Sequence, residues 1–229
     1  GDVSDGITAG QGDNVVNTAD VSLLGAHYGL TGPAVAPFAY LDVGPTTDLS
    51  PDALPATDDS LDFEDLVLFA INYEVVSAPA LSASADPSSP AGSDVLRIDS
   101  PGRVAPGQGV TARLALLGTG KVQGLSVRIE WDPAVVRPVG ARAAEAFQQA
   151  GGVVLSPRPG TLDAVLLGVR TEGLAGEWEL GTVTFEAVAE GDPRIRIAEA
   201  RARDASNRRV EVSAGQPGPP RIVPTVTAL

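Results

Sequence analysis

Residues 13–24 read DNVVNTADVSLL, and 45 residues further on, residues 58–69 read DDSLDFEDLVLF. Both stretches carry an acid, then an Asn or Asp four residues later, then a second acid three residues after that. Both continue into apolar residues at helical spacing. Such a repeat indicates one structural unit used twice, in which each copy is a polar loop followed by a helix.

The spacing of the oxygen-bearing residues is typical of a calcium loop of about twelve residues, with side-chain ligands at positions 1, 3, 5, 9 and 12 and a carbonyl at position 7. With the last acid at position 12, the predicted ligands are Asp13, Val15, Asn17 and Asp20 in copy one, and Asp58, Ser60, Asp62 and Asp65 in copy two. The aliphatic residues at position 8, Val16 and Leu61, are expected to tie the two loops together through a short strand-like contact.

Positions 1 and 3 do not fall on acids when they are counted back directly in either copy. Each copy has a second matching piece upstream, GDVS at residues 1–4 and LDVG at residues 41–44. We therefore expect Asp2 and Asp42 at position 1, with an insertion inside each loop, because a longer loop adds little closure entropy.

Position 3 then falls on Ser4 in copy one and on Gly44 in copy two. Gly44 has no side chain, so Asp48, Thr46, Thr47 or water is expected to supply that ligand. The two loops together predict two Ca²⁺ ions within residues 1–75. The alternative is that the acids only cap the helix N-termini, a role that suits Asp and Asn.

The charge distribution supports a cation site. Residues 1–75 hold eleven Asp, two Glu and no Lys or Arg, which equals the net charge of −13, whereas the remaining 16 acids balance all 16 bases. A folded segment with this much like charge needs cations to offset its self-repulsion. An acidic surface of this kind makes nucleic acid an unsuitable partner.

Several other classes are disfavoured. The chain has no cysteine, so disulfides and Cys-based zinc sites are excluded. No apolar run reaches the length of a membrane span, and GDVSDG at residues 1–6 does not resemble a signal peptide. The sequence has no GxSxG, P-loop or dinucleotide motif. His27 lies late in a predicted helix and is expected to have a solvated or helix-end role. The sequence predicts a non-catalytic protein.

Residues 76–93, rich in Pro, Ser and Ala, are predicted to be a linker, and residues 213–229 a Pro-rich tail. Between them, residues 94–212 are predicted to form an all-β sandwich, because short alternating segments are separated by Gly and Pro turns. The predicted strands are residues 95–100, 109–118, 124–132, 164–170, 181–189 and 194–202, and residues 141–151 are the one helix-like interruption.

Residues 12–30 and 60–74 resemble the two loop-and-helix halves, called F-hands, of a dockerin. The resemblance covers residues 1–75 and implies a small all-α domain around two Ca²⁺ ions. It also implies that loop positions 10 and 11 recognise the partner, which here are Thr18 and Ala19 in copy one and Phe63 and Glu64 in copy two. Since these pairs differ strongly, we expect one copy to dominate recognition, with Phe63 as an anchor or as a core residue.

Residues 104–118, 124–140 and 180–197 are similar in strand order to a cohesin, the partner of dockerins. That resemblance implies a nine-stranded jelly-roll sandwich. Together the two resemblances imply a calcium-dependent connector, located outside the cell or on its surface, whose partners are cohesin or dockerin domains of this chain, of another copy or of other proteins. The alternatives are a calcium-stiffened stalk or adhesin, and a carbohydrate-binding sandwich that uses Trp131 and Trp178.

Overall fold

The computed structural model describes residues 1–74, 92–168 and 173–215. Residues 76–91 of the predicted linker, and residues 216–229 of the predicted tail, lie outside the described residues. The N-terminal part contains two α-helices, α1 (Thr18–His27) and α2 (Phe63–Ile71), and two short 3₁₀ helices, Gly32–Ala34 and Ala36–Leu41. We refer to residues 1–74 as the helical module.

The two helices of this module begin in the same way. Asn17 accepts a hydrogen bond from the backbone N–H of Ala19, and Asp62 accepts one from Glu64. Each helix N-terminus is a full capping box, which satisfies backbone donors that the first helical turn leaves unpaired. The polar loop ends predicted from the repeat are therefore helix caps, whatever else they bind.

The second part is a sandwich of two sheets, as the sequence predicts. Its described strands are β1 (Asp94–Asp99), β2 (Gly109–Thr119), β3 (Gly124–Glu130), β4 (Val136–Ala143), β5 (Gly152–Leu155), β6 (Thr161–Leu166), β7 (Ala175–Ala187), β8 (Arg196–Arg203), β9 (Arg209–Val210) and β10 (Val212–Ala214), with helix α3 (Glu145–Gln149) between β4 and β5. One sheet has the order β10-β1-β2-β7-β4 and the other β5-β6-β3-β8-β9. Among the described pairings, β1 with β10 is parallel and the others are antiparallel.

The observed strands differ from the prediction at the sheet edges. Strand β4 was not predicted from the sequence; it forms one edge and contains Pro138 and a register shift before Gly140. Proline is tolerated in a sheet at edges and bulges, so its presence hides a real strand from a pattern search. Strand β10 runs to Ala214, so the predicted boundary at residue 212 falls inside a strand.

The helical module and the sandwich are packed together. The sandwich has its own core between the two sheets, which includes Leu96, Leu114, Leu125 and Phe185. The core of the helical module includes Leu24, Leu66 and Phe69, and it also takes in Val165 of β6. The two predicted domains therefore share buried apolar surface, on the outer face of the β5-β6-β3-β8-β9 sheet.

Candidate functional site: two acidic loops and a docking face

The upstream acids close the two loops. The carboxylate of Asp2 accepts hydrogen bonds from the backbone N–H groups of Asp13 (2.9 Å) and Asn14 (2.7 Å). In the second loop, Asp42 accepts one from Asp59 at 3.0 Å. The structure thus brings Asp2 and Asp42 to the loops from which insertions separate them, as their predicted place at position 1 requires.

The residue after the position-5 acid has an unusual backbone conformation in both copies. Asn14 has φ of 70° and Asp59 has φ of 58°, and both are in the left-handed region that Asn and Asp adopt more readily than most residues. In calcium loops this is position 6, where glycine makes the sharp turn. The sequence analysis missed this feature, although Asn and Asp at matching positions signal it.

The acids at positions 5 and 9 also behave alike in the two copies. Asp13 accepts a hydrogen bond from the N–H of Val15 and Asp58 accepts one from that of Ser60, both at 3.0 Å. Asn17 and Asp62, at position 9, cap the helices. The two loops therefore have the same backbone design.

Asp20 and Asp65, the last acids of the two loops, are fully buried. Each accepts backbone hydrogen bonds that join the start of its loop to its helix, and we call these bonds the staples. Asp20 accepts hydrogen bonds from the backbone N–H groups of Val3 (2.7 Å), Ser4 (2.9 Å) and Asn17 (2.8 Å). Asp65 accepts the corresponding set, from Val43 (2.7 Å), Gly44 (2.9 Å) and Asp62 (2.8 Å). An ionised carboxylate has about four lone-pair sites, so three of them join the start of each loop to its helix and about one is left for a metal ion.

Position 3 differs between the copies. Ser4 is 7% exposed and its hydroxyl accepts a hydrogen bond from the N–H of Gly6 at 3.1 Å. A Cβ at Gly44 would lie 2.5 Å from the carbonyl carbon of Glu64, so only glycine fits there. The exposed carboxylate of Asp48 accepts a hydrogen bond from Ser50 at 2.8 Å, within the inserted segment.

The position-8 residues make a different contact from the expected one. The N–H of Glu74, after α2, donates to the carbonyl of Val16 at 2.7 Å. The N–H of Gly29, after α1, donates to the carbonyl of Leu61 at 2.8 Å. Each loop is therefore bonded to the segment after the other copy's helix rather than directly to the other loop.

Negative charge is less compensated in the second loop. The buried Oδ1 of Asp42 has no hydrogen-bond partner among the described residues. Burial raises the pKa of Asp42, and burial together with the charges of Asp62 and Asp42 raises the pKa of Asp58. Burial also raises the pKa of Asp65 to about 7. These carboxylates oppose one another's ionisation, which a cation would relieve.

The described residues contain no group of three or more Asp, Glu, His or Cys side chains already arranged around one point as a metal site. The staple bonds give a physical reason, because they turn Asp20 and Asp65 towards backbone N–H groups. The oxygen atoms that remain available to a metal ion belong to carboxylates, amides and carbonyls, which are the ligands that Ca²⁺ prefers. Together with the unpaired oxygen of Asp42, this set of ligand atoms fits Ca²⁺.

Helix α2 lies against the outer face of β3, β6 and β8. Gly124 of β3 is paired with Val165 of β6 on one side and with Arg203 of β8 on the other. A Cβ added at Gly124 would lie 2.9 Å from Cγ2 of Val67 and 3.4 Å from Cε2 of Phe63. The absence of a side chain at Gly124 therefore lets α2 approach the sheet closely. We call this surface the docking face.

The docking face also carries polar contacts. Nη2 of Arg203 lies 2.7 Å from Oε1 of Glu64, and the two side chains are 6% and 21% exposed. The hydroxyl of Tyr28, after α1, donates to Oδ2 of Asp163 at 2.8 Å. The N–H of Gly168 donates to the carbonyl of Ala70 at 2.9 Å.

Burial perturbs both members of the Tyr28–Asp163 pair. It raises the pKa of Asp163 to about 6, although hydrogen bonds from Ser126 and Tyr28 oppose the shift. Burial and the charge of Asp163 also hold the pKa of Tyr28 well above its ordinary value. Tyr28 is therefore a neutral donor to a carboxyl group that ionises near pH 6.

The predicted recognition residues divide between the two copies. Phe63 is 1% exposed, and it belongs to the core that the module shares with the sandwich. Glu64 pairs with Arg203. Thr18 is exposed and its hydroxyl is 2.8 Å from that of Tyr73, within the helical module, and Ala19 is partly buried at the same helix start. The copy-two positions thus contact the sandwich, and Phe63 is a core residue.

The two tryptophans take part in packing. Trp131 is edge-on to Phe185 at a centroid distance of 5.5 Å, and Trp178 is edge-on to Phe147 at 6.4 Å. The indole N–H of Trp178 donates to the carbonyl of Ala175 at 2.9 Å. Both tryptophan side chains are partly buried, and Trp131 also lines a surface pocket with Arg128, Pro133 and Arg158. His27, the last residue of α1, stacks on Phe38 at 3.6 Å.

Neither protein-family models nor curated protein sequences match this chain. Solved structures similar to the chain include the sixth cohesin of scaffoldin B from Acetivibrio cellulolyticus, in complex with a Cel5 dockerin, at 12% identity and a TM-score of 0.43 over 54% of this chain and 95% of that one. They also include a type II cohesin from the cellulosome of the same organism, at 14% identity and a TM-score of 0.43 over 55% and 93% of the two chains. A non-cellulosomal cohesin from Archaeoglobus fulgidus is similar at 12% identity and a TM-score of 0.41, over 54% and 86%.

The helices in the described parts of the chain are all too short or too polar to cross a membrane.

Proposed function

We propose that this chain is a non-catalytic, calcium-dependent protein–protein interaction module of the cohesin–dockerin type. In this proposal the helical module is the ligand, and the docking face on β3, β6 and β8 is its receptor. The chain acts as a connector that closes on itself or exchanges its helical module with another copy or another protein. Its place is outside the cell or at its surface, where calcium is abundant.

The observation that carries the proposal is the contact between Phe63 and Glu64 and the sandwich. The resemblance of the sequence to a dockerin implies that these two residues recognise a partner. They lie beside Gly124 and against Arg203. Residues that dominate binding in protein interfaces lie in well-packed, desolvated pockets near the centre, as Phe63 and the Glu64–Arg203 pair do here.

The burial pattern of the sheet supports the same assignment. All six residues of β6 are buried, whereas a sandwich strand with one solvated face alternates. Leu162, Ala164 and Leu166 belong to the sandwich core. The intervening residues are on the opposite face, where Asp163 accepts a hydrogen bond from Tyr28 and Val165 packs in the core of the helical module, while Thr161 is bonded to Arg158. The burial of both faces of β6 therefore indicates that its outer face is part of an interface.

Calcium has a defined place in this proposal. Asp2, Asp13 and Asn17 would hold one ion, and Asp42, Asp58 and Asp62 the other, with carbonyls of Val15 and Ser60. Asp20 and Asp65 would contribute the oxygen sites left free by the staples. A bound Ca²⁺ supplies positive charge that offsets the repulsion among these carboxylates. The chain's own part is to fix the N-termini of α1 and α2, and so to hold Phe63 and Glu64 in place.

Sedimentation velocity of the whole chain, in Ca²⁺ and in EGTA, tests the proposal. We expect a compact monomer in Ca²⁺, and in EGTA either a slower, more extended monomer or concentration-dependent association through exposed docking faces. A chain that stays folded, monomeric and equally compact in both buffers contradicts the calcium dependence. That outcome would favour a stalk in which the acids are only helix caps.

A further inference from the structure

We infer that the two loops bind Ca²⁺ unequally, and that the second loop, from Asp42 to Asp65, holds the tighter ion and is the one whose occupancy controls docking. This inference rests on the proposed function, and it concerns how the interaction is regulated.

The loops have the same backbone design but different charge. Among their matching ligand positions, the first loop has the acids Asp2, Asp13 and Asp20 and a neutral Asn17. The second loop has Asp42, Asp58 and Asp65, and Asp62 takes the place of Asn17. The number of charged ligands is one of the main determinants of affinity in calcium loops.

The position-1 acids also differ in their state. Both carboxylate oxygens of Asp2 accept backbone hydrogen bonds, at 2.9 and 2.7 Å. Asp42 is only 4% exposed and accepts one from Asp59 through Oδ2, while its buried Oδ1 has no partner in the described part of the chain. A buried carboxylate oxygen without a donor is costly, and a cation beside it removes that cost.

The second loop leads directly to the docking face. Asp62 is the N-cap of α2, and the next two residues, Phe63 and Glu64, contact the sandwich. Asn17 is the N-cap of α1, but the next residue, Thr18, is bonded to Tyr73 within the helical module. Fixing the second loop therefore fixes docking residues directly, whereas the contact of α1 with the sandwich through Tyr28 lies at the far end of that helix.

The repeat supplies a matched pair of variants for the test. Asp62→Asn gives the second loop the charge of the first, and Asn17→Asp gives the first loop the charge of the second. Asn and Asp are equally good helix caps, so both proteins are expected to fold. Calcium binding is measured by calorimetry on the whole chain, and compactness by sedimentation at each Ca²⁺ concentration.

For the wild type we expect two binding events, with compaction following the tighter one. Asp62→Asn should weaken the tighter event by about tenfold or more, because a unit charge next to a divalent ion is worth at least that, and compaction should shift to higher Ca²⁺ by the same factor. Asn17→Asp should strengthen the weaker event and leave the compaction midpoint within about twofold.

The inference would be overturned, with the proposed function intact, if the two variants shifted the Ca²⁺ concentration of compaction equally. It would also be overturned if compaction followed the ion that Asn17→Ala removes rather than the ion that Asp62→Asn weakens. A wild-type chain that binds no Ca²⁺ at all would overturn the proposed calcium dependence and the inference with it.

Discussion

Arg203 of β8 and Glu64 of α2 are 139 residues apart in the sequence, yet Nη2 of one lies 2.7 Å from Oε1 of the other. The Arg203 side chain is 6% exposed, and its Nη1 has no hydrogen-bond partner in the described residues. The pair is thus a desolvated ion pair at the junction between helical module and sandwich, and Glu64 is the main neutralising partner of a buried cation.

Removing one member of this pair should weaken docking strongly. Glu64→Gln leaves the guanidinium of Arg203 buried without its counter-charge, which costs roughly 3–5 kcal/mol in buried pairs. Urea unfolding in Ca²⁺ should show this loss as an early transition of the helical module. Arg103→Gln, which breaks an exposed pair with Glu190, should cost about 1 kcal/mol or less. Equal effects of the two changes would contradict the assignment.

Gly124 should tolerate no side chain while the helical module is docked. Gly124→Ala places a methyl group 2.9 Å from Val67 Cγ2 and 3.3 Å from Val165 Cγ1. Overpacking of this kind costs about 1–3 kcal/mol. Gly109→Ala, also in a strand but with nothing within 4 Å of the new Cβ, is the control and should change stability by about 0.5 kcal/mol or less. If the helical module of Gly124→Ala docked as well as that of the wild type, α2 would have to lie farther from β3 than it does in the structure.

The staples predict a result in the absence of calcium. Asp20→Ala leaves the buried N–H groups of Val3, Ser4 and Asn17 without their acceptor, which should cost roughly 3–5 kcal/mol in EGTA. Asp13→Ala, at an exposed position with one local bond, should cost about 1 kcal/mol or less there. If Asp20 were only a metal ligand, its removal would instead stabilise the calcium-free chain by reducing repulsion. Thermal unfolding in EGTA separates these outcomes.

Asp163 predicts a pH dependence. Its pKa is raised from 3.8 to about 6 in the folded chain, so the folded state holds the proton more tightly than the unfolded state. The contribution of Asp163 to stability is therefore greatest below about pH 4, falls as pH rises through the window to about pH 6, and is constant above it, a loss of roughly 3 kcal/mol. Denaturation of wild type and Asp163→Asn at pH 4 to 7 should show this slope as the difference between the two. Parallel curves would mean that Asp163 is not buried by docking.

The sequence showed the repeat and offered helix caps as the alternative to calcium ligands, because both depend on short-range spacing. It predicted the sandwich because alternation marks strands with one solvated face. It could not predict the docking face, since Arg203, Gly124 and Glu64 meet only after the chain has folded. One local signal was present: AVLL at residues 164–167 is continuously apolar, as in strands covered on both faces. The prediction of two domains joined by a linker did not use this signal.

Calcium-dependent docking is tested on the whole chain with a protease site placed in residues 76–91. After cleavage, size-exclusion chromatography with light scattering shows whether the two pieces stay together. We expect one complex of unchanged mass in Ca²⁺, and separation in EGTA or in the Glu64→Gln variant. Pieces that separate in Ca²⁺, or that stay together equally well in EGTA, would contradict calcium-dependent docking.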